Sequence, residues 1–90
     1  MEINGVKLQT CHIPTQNTHV LILAAPKGFL ACGYLKVETA DKVGDACAIV
    51  TGVTNFDELL AAEVKFVSNA AKGFGVKIGM SGKDALLKMA

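Results

Sequence analysis

Cys32, followed directly by Gly33, is the residue of this sequence whose type best suits covalent chemistry. The pair lies in an apolar segment predicted to be a strand, where a glycine often marks a bulge or the close approach of another group. A cysteine becomes a nucleophile only when a nearby cation or helix terminus lowers its pKa. Three interpretations stay open: packing as a small hydrophobic side chain, ligand contact through the Cys32–Gly33 backbone, and catalysis by the thiol.

A glycine-rich turn near the end of the chain is a second candidate, for binding an anion. It contains Gly79, Ser81, Gly82 and Lys83, and it leads into a predicted helix, where N–H groups and one lysine suit a negatively charged ligand. The phosphate-loop pattern is missing, because Asp84 stands where that loop needs a serine or threonine. The hydrolase nucleophile elbow is missing too, because Lys83 replaces its second glycine. The alternative is that Ser81 only caps the helix.

Asp45 is the acidic residue with the most distinctive position. It directly precedes an apolar strand, and we expect its carboxylate to approach Thr51 and Gly52 and to form a polar pocket with Cys32. Simple turn formation is the competing interpretation.

A metal site is not predicted. His12 and His19 flank a predicted turn, but Cys11 and His12 are neighbours in a strand, so their side chains point to opposite faces and do not ligate one ion. We also expect no cofactor.

Composition restricts the partners of the chain. The nine basic residues are all lysines and the net charge is +1, which argues against a nucleic-acid partner because arginine is the favoured side chain for phosphate and guanine. No apolar run approaches the roughly 20 residues of a membrane span. An apolar fraction of 51% and a mean hydropathy of +0.40 are high for 90 residues, so we expect a homo-oligomer.

The cellular compartment is predicted from the first residues and the cysteines. Residues 1–5 lack the basic start and apolar stretch of a secretory signal, and three cysteines without paired spacing are typical of reduced thiols. We therefore expect a cytoplasmic protein.

Hydrophobic periodicity predicts a single α+β domain over residues 1–90 that positions these residues. The Asn4–Gly5 turn signal and apolar segments at 6–13, 20–25 and 29–37 predict a three-stranded antiparallel meander within residues 1–37. Residues 38–90 follow with helical turns at 38–45, a strand at 46–50, two helices or one kinked helix over 56–74, a short strand at 76–78 and a helix at 82–89. The helices are expected to pack against the sheet.

Four segments, in this order, resemble the YunC-like domain family: Ala-Cys-Gly-Tyr-Leu at 31–35, Ala-Ile-Val-Thr-Gly-Val at 48–53, Phe-Asp-Glu-Leu-Leu at 56–60, and the glycine-rich stretch at 75–86. The family consists of small bacterial and archaeal proteins of unknown function. The resemblance implies an α+β fold whose N-terminal β region mediates tetramer formation, and it supplies no catalytic residue. The positions that match the family, without assigned roles, are Cys32, Gly33, Thr51, Gly52, Gly79, Ser81 and Gly82.

Three functions remain in competition at this point. The first is a homo-oligomeric domain that binds a small ligand, with an anion as the expected class, or regulates through it. The second is an enzyme with Cys32 as nucleophile, and the third is a structural module whose sheet edge accepts another protein. No complete catalytic constellation is visible, which favours the first.

Overall fold

The chain begins with a two-residue hairpin turn. The computed structural model describes residues 1–90, and its first strands, β1 (Glu2–Ile3) and β2 (Val6–Lys7), pair antiparallel. Asn4 and Gly5 join them with φ values of 50° and 81°. Positive φ at both central residues is the requirement of a type I′ turn, and asparagine followed by glycine meets it best.

A five-stranded sheet forms the centre of the molecule. Its strands lie in chain order and are β3 (Gln9–Pro14), β4 (His19–Ala25), β5 (Gly28–Ala31), β6 (Cys47–Ile49) and β7 (Phe66–Val67). β3, β4 and β5 form the predicted antiparallel meander. β5 and β6 are parallel because a helix crosses between them, and β7 returns antiparallel to β6.

Four short helices cover this sheet. They are α1 (Val37–Val43), α2 (Phe56–Ala61), α3 (Asn69–Gly73) and α4 (Gly82–Lys88). Asn55, Ser68 and Ser81 are the N-caps of α2, α3 and α4, and each side chain accepts a hydrogen bond from the N–H three residues ahead. Such side chains satisfy helix N–H groups that have no partner within the helix. The predicted capping by Ser81 is therefore confirmed.

The two faces of the sheet have separate hydrophobic clusters. Leu21, Leu23 and Leu30 point to the face that α2 and α4 cover, in a cluster of 17 buried residues. Ala31, Cys47 and Ile49 point to the other face and pack against Ala40 of α1. Alternation along β5 and β6 assigns neighbouring residues to opposite faces, which explains why β6 is apolar throughout.

Four predicted elements differ from the structure. The strand predicted over 6–13 is divided into β2, which pairs with β1, and β3, which pairs with β4. β5 ends at Ala31 rather than near residue 37, because the Leu35 N–H bonds the Cys32 carbonyl at 3.2 Å and turns the chain. The helical interpretation of residues 56–74 is interrupted by β7, which pairs with the free edge of β6. Residues 76–78 form no strand, since the Val76 N–H bonds the Ala71 carbonyl and no strand lies beside it.

Candidate functional site

Three connections meet at one edge of the sheet. Because β5 and β6 are parallel, the loops that follow them, at 32–36 and 50–55, leave at the same edge. The β3–β4 turn reaches this edge as well, since β4 runs antiparallel to β5 and begins beside the end of β5. The carboxyl ends of parallel strands are where α/β sheets commonly bind ligands. Cys32, Gly33, Thr51 and Gly52 all lie here.

A cavity of about 410 Å³ opens at this edge on the face of α2 and α4; we call it the Cys32 cavity. Its lining combines hydroxyl, imidazole and thiol groups with two glycines, and contains no carboxylate. The lining residues are Thr18, His19, Cys32, Gly33, Tyr34, Gly52, Val53 and Thr54.

The Cys32 thiol is held in place by two backbone groups. Its side chain is 5% exposed, and Sγ accepts a hydrogen bond from the Leu21 N–H at 3.3 Å. Sγ also donates to the His19 carbonyl at 3.7 Å. The arrangement therefore orients the sulfur at the base of the cavity while giving its proton an acceptor.

His12 and His19 form a hydrogen-bonded pair beside the Cys32 cavity. Nε2 of His12 lies 2.9 Å from Nδ1 of His19, so at least one ring must present an unprotonated nitrogen as the acceptor. The His12 ring also contacts Phe56 edge-on, with centroids 5.9 Å apart, which connects the β3–β4 hairpin to α2. Cys11 is on the opposite face of β3, and no group of three or more potential metal ligands forms anywhere in the structure.

Gly33 separates the Cys32 cavity from a second one. A Cβ at Gly33 would meet only Thr51 Cγ2, at 3.4 Å, and the backbone there is outside the left-handed region. Neither conformation nor packing therefore requires a glycine at this position. Its exposed backbone borders open space on both sides.

The second cavity, which we call the Leu35 cavity, also measures about 410 Å³ and lies on the face of α1. Half of its lining residues are apolar and come from β6, β7, the loop before α1 and the start of α1, and two charged side chains border it. Its lining residues are Gly33, Leu35, Lys36, Val37, Glu38, Ile49, Thr51 and Phe66.

Comparison with known proteins identifies the family. Residues 31–89 match the family described as "Domain of unknown function (DUF1805)". The chain belongs to the DUF1805 family. It is 34% identical over 91 residues to the uncharacterized protein YunC of Bacillus subtilis (strain 168), covering 97% of this chain and 90% of YunC. The resemblance to a YunC-like family of unknown function is thus confirmed.

A solved structure shares the fold of this DUF1805 chain. The crystal structure of TA1206, a protein of unknown function from Thermoplasma acidophilum, matches with a TM-score of 0.79 and 28% identity over 100% of both chains. The α+β prediction is confirmed by the strands and helices described above and by this match. The descriptions of the family and of these two relatives state no activity.

Asp45 does not join the other candidates in this DUF1805 protein. It is exposed and precedes β6, whereas Thr51 and Gly52 follow β6. The length of the strand therefore separates Asp45 from these two residues. The Asp45 N–H bonds the Ala40 carbonyl at 2.9 Å, closing the turn after α1. The polar pocket predicted for Asp45 with Cys32 is therefore wrong, and turn formation accounts for the residue.

The turn of Gly79, Ser81, Gly82 and Lys83 also lies apart from this edge, because none of the four lines either cavity. Its N–H groups have internal partners: Gly79 donates to the Val64 carbonyl at 2.9 Å, and Gly82 to the Ala62 carbonyl at 2.8 Å. Few donors remain for an anion. Ser81 serves as a helix cap, and Gly82 is explained by packing, since a Cβ there would overlap the Leu59 carbonyl oxygen.

The cavities contain residues that the sequence did not single out. Thr18, Tyr34 and Thr54 complete the Cys32 cavity, and Leu35, Lys36, Val37, Glu38, Ile49 and Phe66 complete the Leu35 cavity. One available signal was Tyr34, an aromatic residue directly after Gly33 that stays 54% exposed. Once β5 ends at Ala31, residues 33–38 become a connection between parallel strands, where ligand contacts concentrate.

Proposed function

We propose that this protein is a homo-oligomeric binding domain for a small anionic ligand, which occupies the Cys32 cavity. The observation that carries the proposal is the convergence of the loops after β5 and β6 on one cavity with exposed glycine backbone. A small ligand needs this kind of concave site with a few polar groups that fix its orientation. The three free cysteines accord with the cytoplasmic location expected from the sequence.

The chemistry of the lining supports an anion over a cation. Thr18 and His19 carry O–H or N–H groups that can donate to a ligand, and no carboxylate lines the cavity. The Tyr34 hydroxyl already donates to Thr15 Oγ1 at 3.3 Å. The nearest acidic group to Thr54 is already engaged, since Glu58 Oε1 accepts from the Thr54 N–H at 2.8 Å and from its hydroxyl at 3.0 Å. Gly33 and Gly52 also line the cavity, and neither has a side chain that shields its backbone N–H group.

Thermal unfolding with anionic probes tests this proposal. Phosphate, acetate, succinate, citrate and pyruvate should be screened, and a ligand at about 100 times its Kd is expected to stabilise the fold by about 2.7 kcal/mol. Such a gain raises Tm by more than about 10 °C in a domain of this size. The substitution Gly33→Leu fills the mouth of the cavity and should abolish the shift, whereas Gly73→Leu, at a position that lines neither cavity, should retain it. A screen without any stabilising anion would count against the proposal.

Self-association is the second part of the proposal. On the α1 face, β3 and β4 present apolar side chains without a covering helix: Ile13 is 56% exposed, and Cys11, Val20 and Ile22 are only half-buried. β3 is also an edge strand with unpaired backbone groups. A second copy that covers this face would bury it, in agreement with the tetramer that the family resemblance implies.

Native mass measurement tests self-association. We expect a multimer at micromolar concentration, with a tetramer as the predicted size, and we expect Ile13→Lys to produce monomers. Thr10→Lys, on the other face of β3, is the matched control and should leave the multimer intact. A monomeric wild type would contradict the proposal, and a foreign protein bound at fixed stoichiometry would favour the alternative of a partner-binding module.

Thiol catalysis by Cys32 is the alternative activity. One observation favours it: Cys32 and His19 line the same cavity, and the Leu21 N–H points at the sulfur. The alkylation rate against pH in a Cys11→Ser background separates the two functions. A fast reaction well below the ordinary thiol pKa of about 8.5 would support catalysis, and an unreactive Cys32 would exclude it.

A further inference from the structure

The Leu35 cavity combines an apolar floor with two unpaired charges of opposite sign. Ile49 and Phe66 are register partners on β6 and β7, and together with Leu35 and Val37 they form the apolar floor. Phe66 is 53% exposed although it is a large aromatic side chain. A volume of about 410 Å³ lies within the range of small-ligand pockets.

Lys36 and Glu38 border this floor. Both side chains are exposed, and neither takes part in an ion pair, since the one salt bridge of the chain joins Lys65 and Glu63 at 4.0 Å. They are two residues apart at the start of α1, with Val37 half-buried between them. The same opening is therefore bordered by one ammonium and one carboxylate group.

This charge pattern selects among ligand classes. A simple anion would be attracted by Lys36 but repelled by Glu38. A simple cation would be attracted by Glu38 but repelled by Lys36. A zwitterion satisfies both charges, and the apolar floor of Leu35, Ile49 and Phe66 favours a hydrophobic body of moderate size. Free α-amino acids with branched aliphatic or aromatic side chains have this combination.

We propose that the Leu35 cavity binds an α-amino acid with an apolar side chain. Its carboxylate pairs with the Lys36 ammonium, its ammonium pairs with the Glu38 carboxylate, and its side chain covers Phe66 and Ile49. The Thr51 hydroxyl, at the same opening, supplies a further hydrogen-bonding group. This site is separate from the Cys32 cavity and does not depend on ligand binding there.

Titration calorimetry with L-leucine and L-phenylalanine tests the proposal directly. 4-Methylpentanoate lacks the ammonium group, 3-methylbutylamine lacks the carboxylate, and glycine lacks the side chain. Because each charged contact contributes about tenfold in affinity, both single-charge analogues should bind at least about tenfold more weakly than L-leucine. Glycine should not bind measurably. Absence of heat with either amino acid up to about 10 mM, or equal binding of L-leucine and 4-methylpentanoate, would overturn the proposal.

Two charge-removing variants give opposite expected patterns. Lys36→Gln should weaken the binding of L-leucine and of 4-methylpentanoate but leave the binding of 3-methylbutylamine unchanged. Glu38→Gln should weaken only the binding of L-leucine and of 3-methylbutylamine. Lys42→Gln, on the same helix but outside the cavity, is the control and should bind as the wild type does. Thr18→Val, in the Cys32 cavity alone, should also retain L-leucine binding, which separates this site from the other. An equal loss of L-leucine affinity in Lys42→Gln and Lys36→Gln would contradict the pairing of Lys36 with the ligand carboxylate.

Discussion

Ser68 and Cys47 exchange two hydrogen bonds: the Cys47 N–H donates to Ser68 Oγ at 2.8 Å, and the Ser68 N–H donates to the Cys47 carbonyl at 2.9 Å. Ser68 is the one buried polar side chain that is completely inaccessible to solvent, and its hydroxyl also donates to the Asp45 carbonyl at 2.9 Å. The same oxygen caps α3 by accepting from the Ala71 N–H at 3.4 Å. One hydroxyl thus fixes the start of β6, the strand whose far end leads into Thr51 and Gly52.

Replacing this hydroxyl should be costly for the fold. Ser68→Ala leaves the buried Cys47 N–H and Asp45 carbonyl without their partner and removes a helix cap, so we expect a loss of about 2–3 kcal/mol in the free energy of unfolding. Ser81→Ala removes a cap at a partly exposed site and should cost about 1 kcal/mol. Urea unfolding of both variants measures the difference, and equal losses would show that burial of the Ser68 network adds nothing.

Gly82 permits the closest approach between α4 and the rest of the protein. A Cβ at this position would overlap the Leu59 carbonyl oxygen and lie 2.9 Å from Leu30 Cδ2, so Gly82→Ala should destabilise the fold by about 1–3 kcal/mol. Gly73→Ala is the control, because nothing lies within 4 Å of a Cβ there and its backbone is outside the left-handed region. We expect Gly73→Ala to be neutral or to stabilise by about 0.4–1 kcal/mol. If the denaturant midpoints of both variants shifted in the same direction, steric overlap at Gly82 would not explain the result.

Alkaline pH should weaken the fold through Cys47. Burial, with smaller contributions from the Asp45 and Asp41 carboxylates, raises the pKa of the Cys47 thiol from 9.0 to about 12. Between these values the unfolded chain releases the thiol proton and the folded chain keeps it, so stability is fully present below pH 9.0 and falls as the pH rises, by at most about 1.4 kcal/mol per pH unit.

The comparison that isolates this effect uses Cys47→Ala. Urea unfolding under reducing conditions between about pH 8 and about pH 11 should show a shallower loss of stability in the variant than in the wild type. The other ionisable groups are the same in both proteins, so their contribution cancels in the difference between the two slopes. Identical slopes would mean that the Cys47 thiol ionises as easily in the folded chain as in the unfolded one.

Gly33 and Gly52 both line the Cys32 cavity, but their backbone conformations differ. Their alanine variants should therefore differ in stability. Gly52 has φ of +73°, so Gly52→Ala should cost about 1–2 kcal/mol. Gly33→Ala should leave the free energy of unfolding unchanged or raise it by up to about 1 kcal/mol, because its backbone suits any residue. Thermal unfolding without ligand measures both, and a destabilised Gly33→Ala would show that the fold itself needs this glycine.

Local signals in the sequence predicted much of the fold. Asn4–Gly5, the apolar alternation of the first strands and the capping residue Ser81 act through neighbouring backbone groups, so their effects are readable from adjacent residues. The sequence did not predict β7, because Val67 shares the helical spacing of the apolar residues over 56–74. This strand exists only because β6 presents a free edge to it.

The sequence by itself determined the α+β class, the N-terminal meander and a set of glycine and cysteine candidates, because these follow from side-chain periodicity and turn chemistry. Only the tertiary structure decided which candidates meet. The parallel pairing of β5 with β6 brings Cys32 and Gly33 beside Thr51 and Gly52, and it leaves Asp45 at the opposite end of the same strand. Strand direction and register depend on contacts between residues far apart in the chain, and no local pattern encodes them.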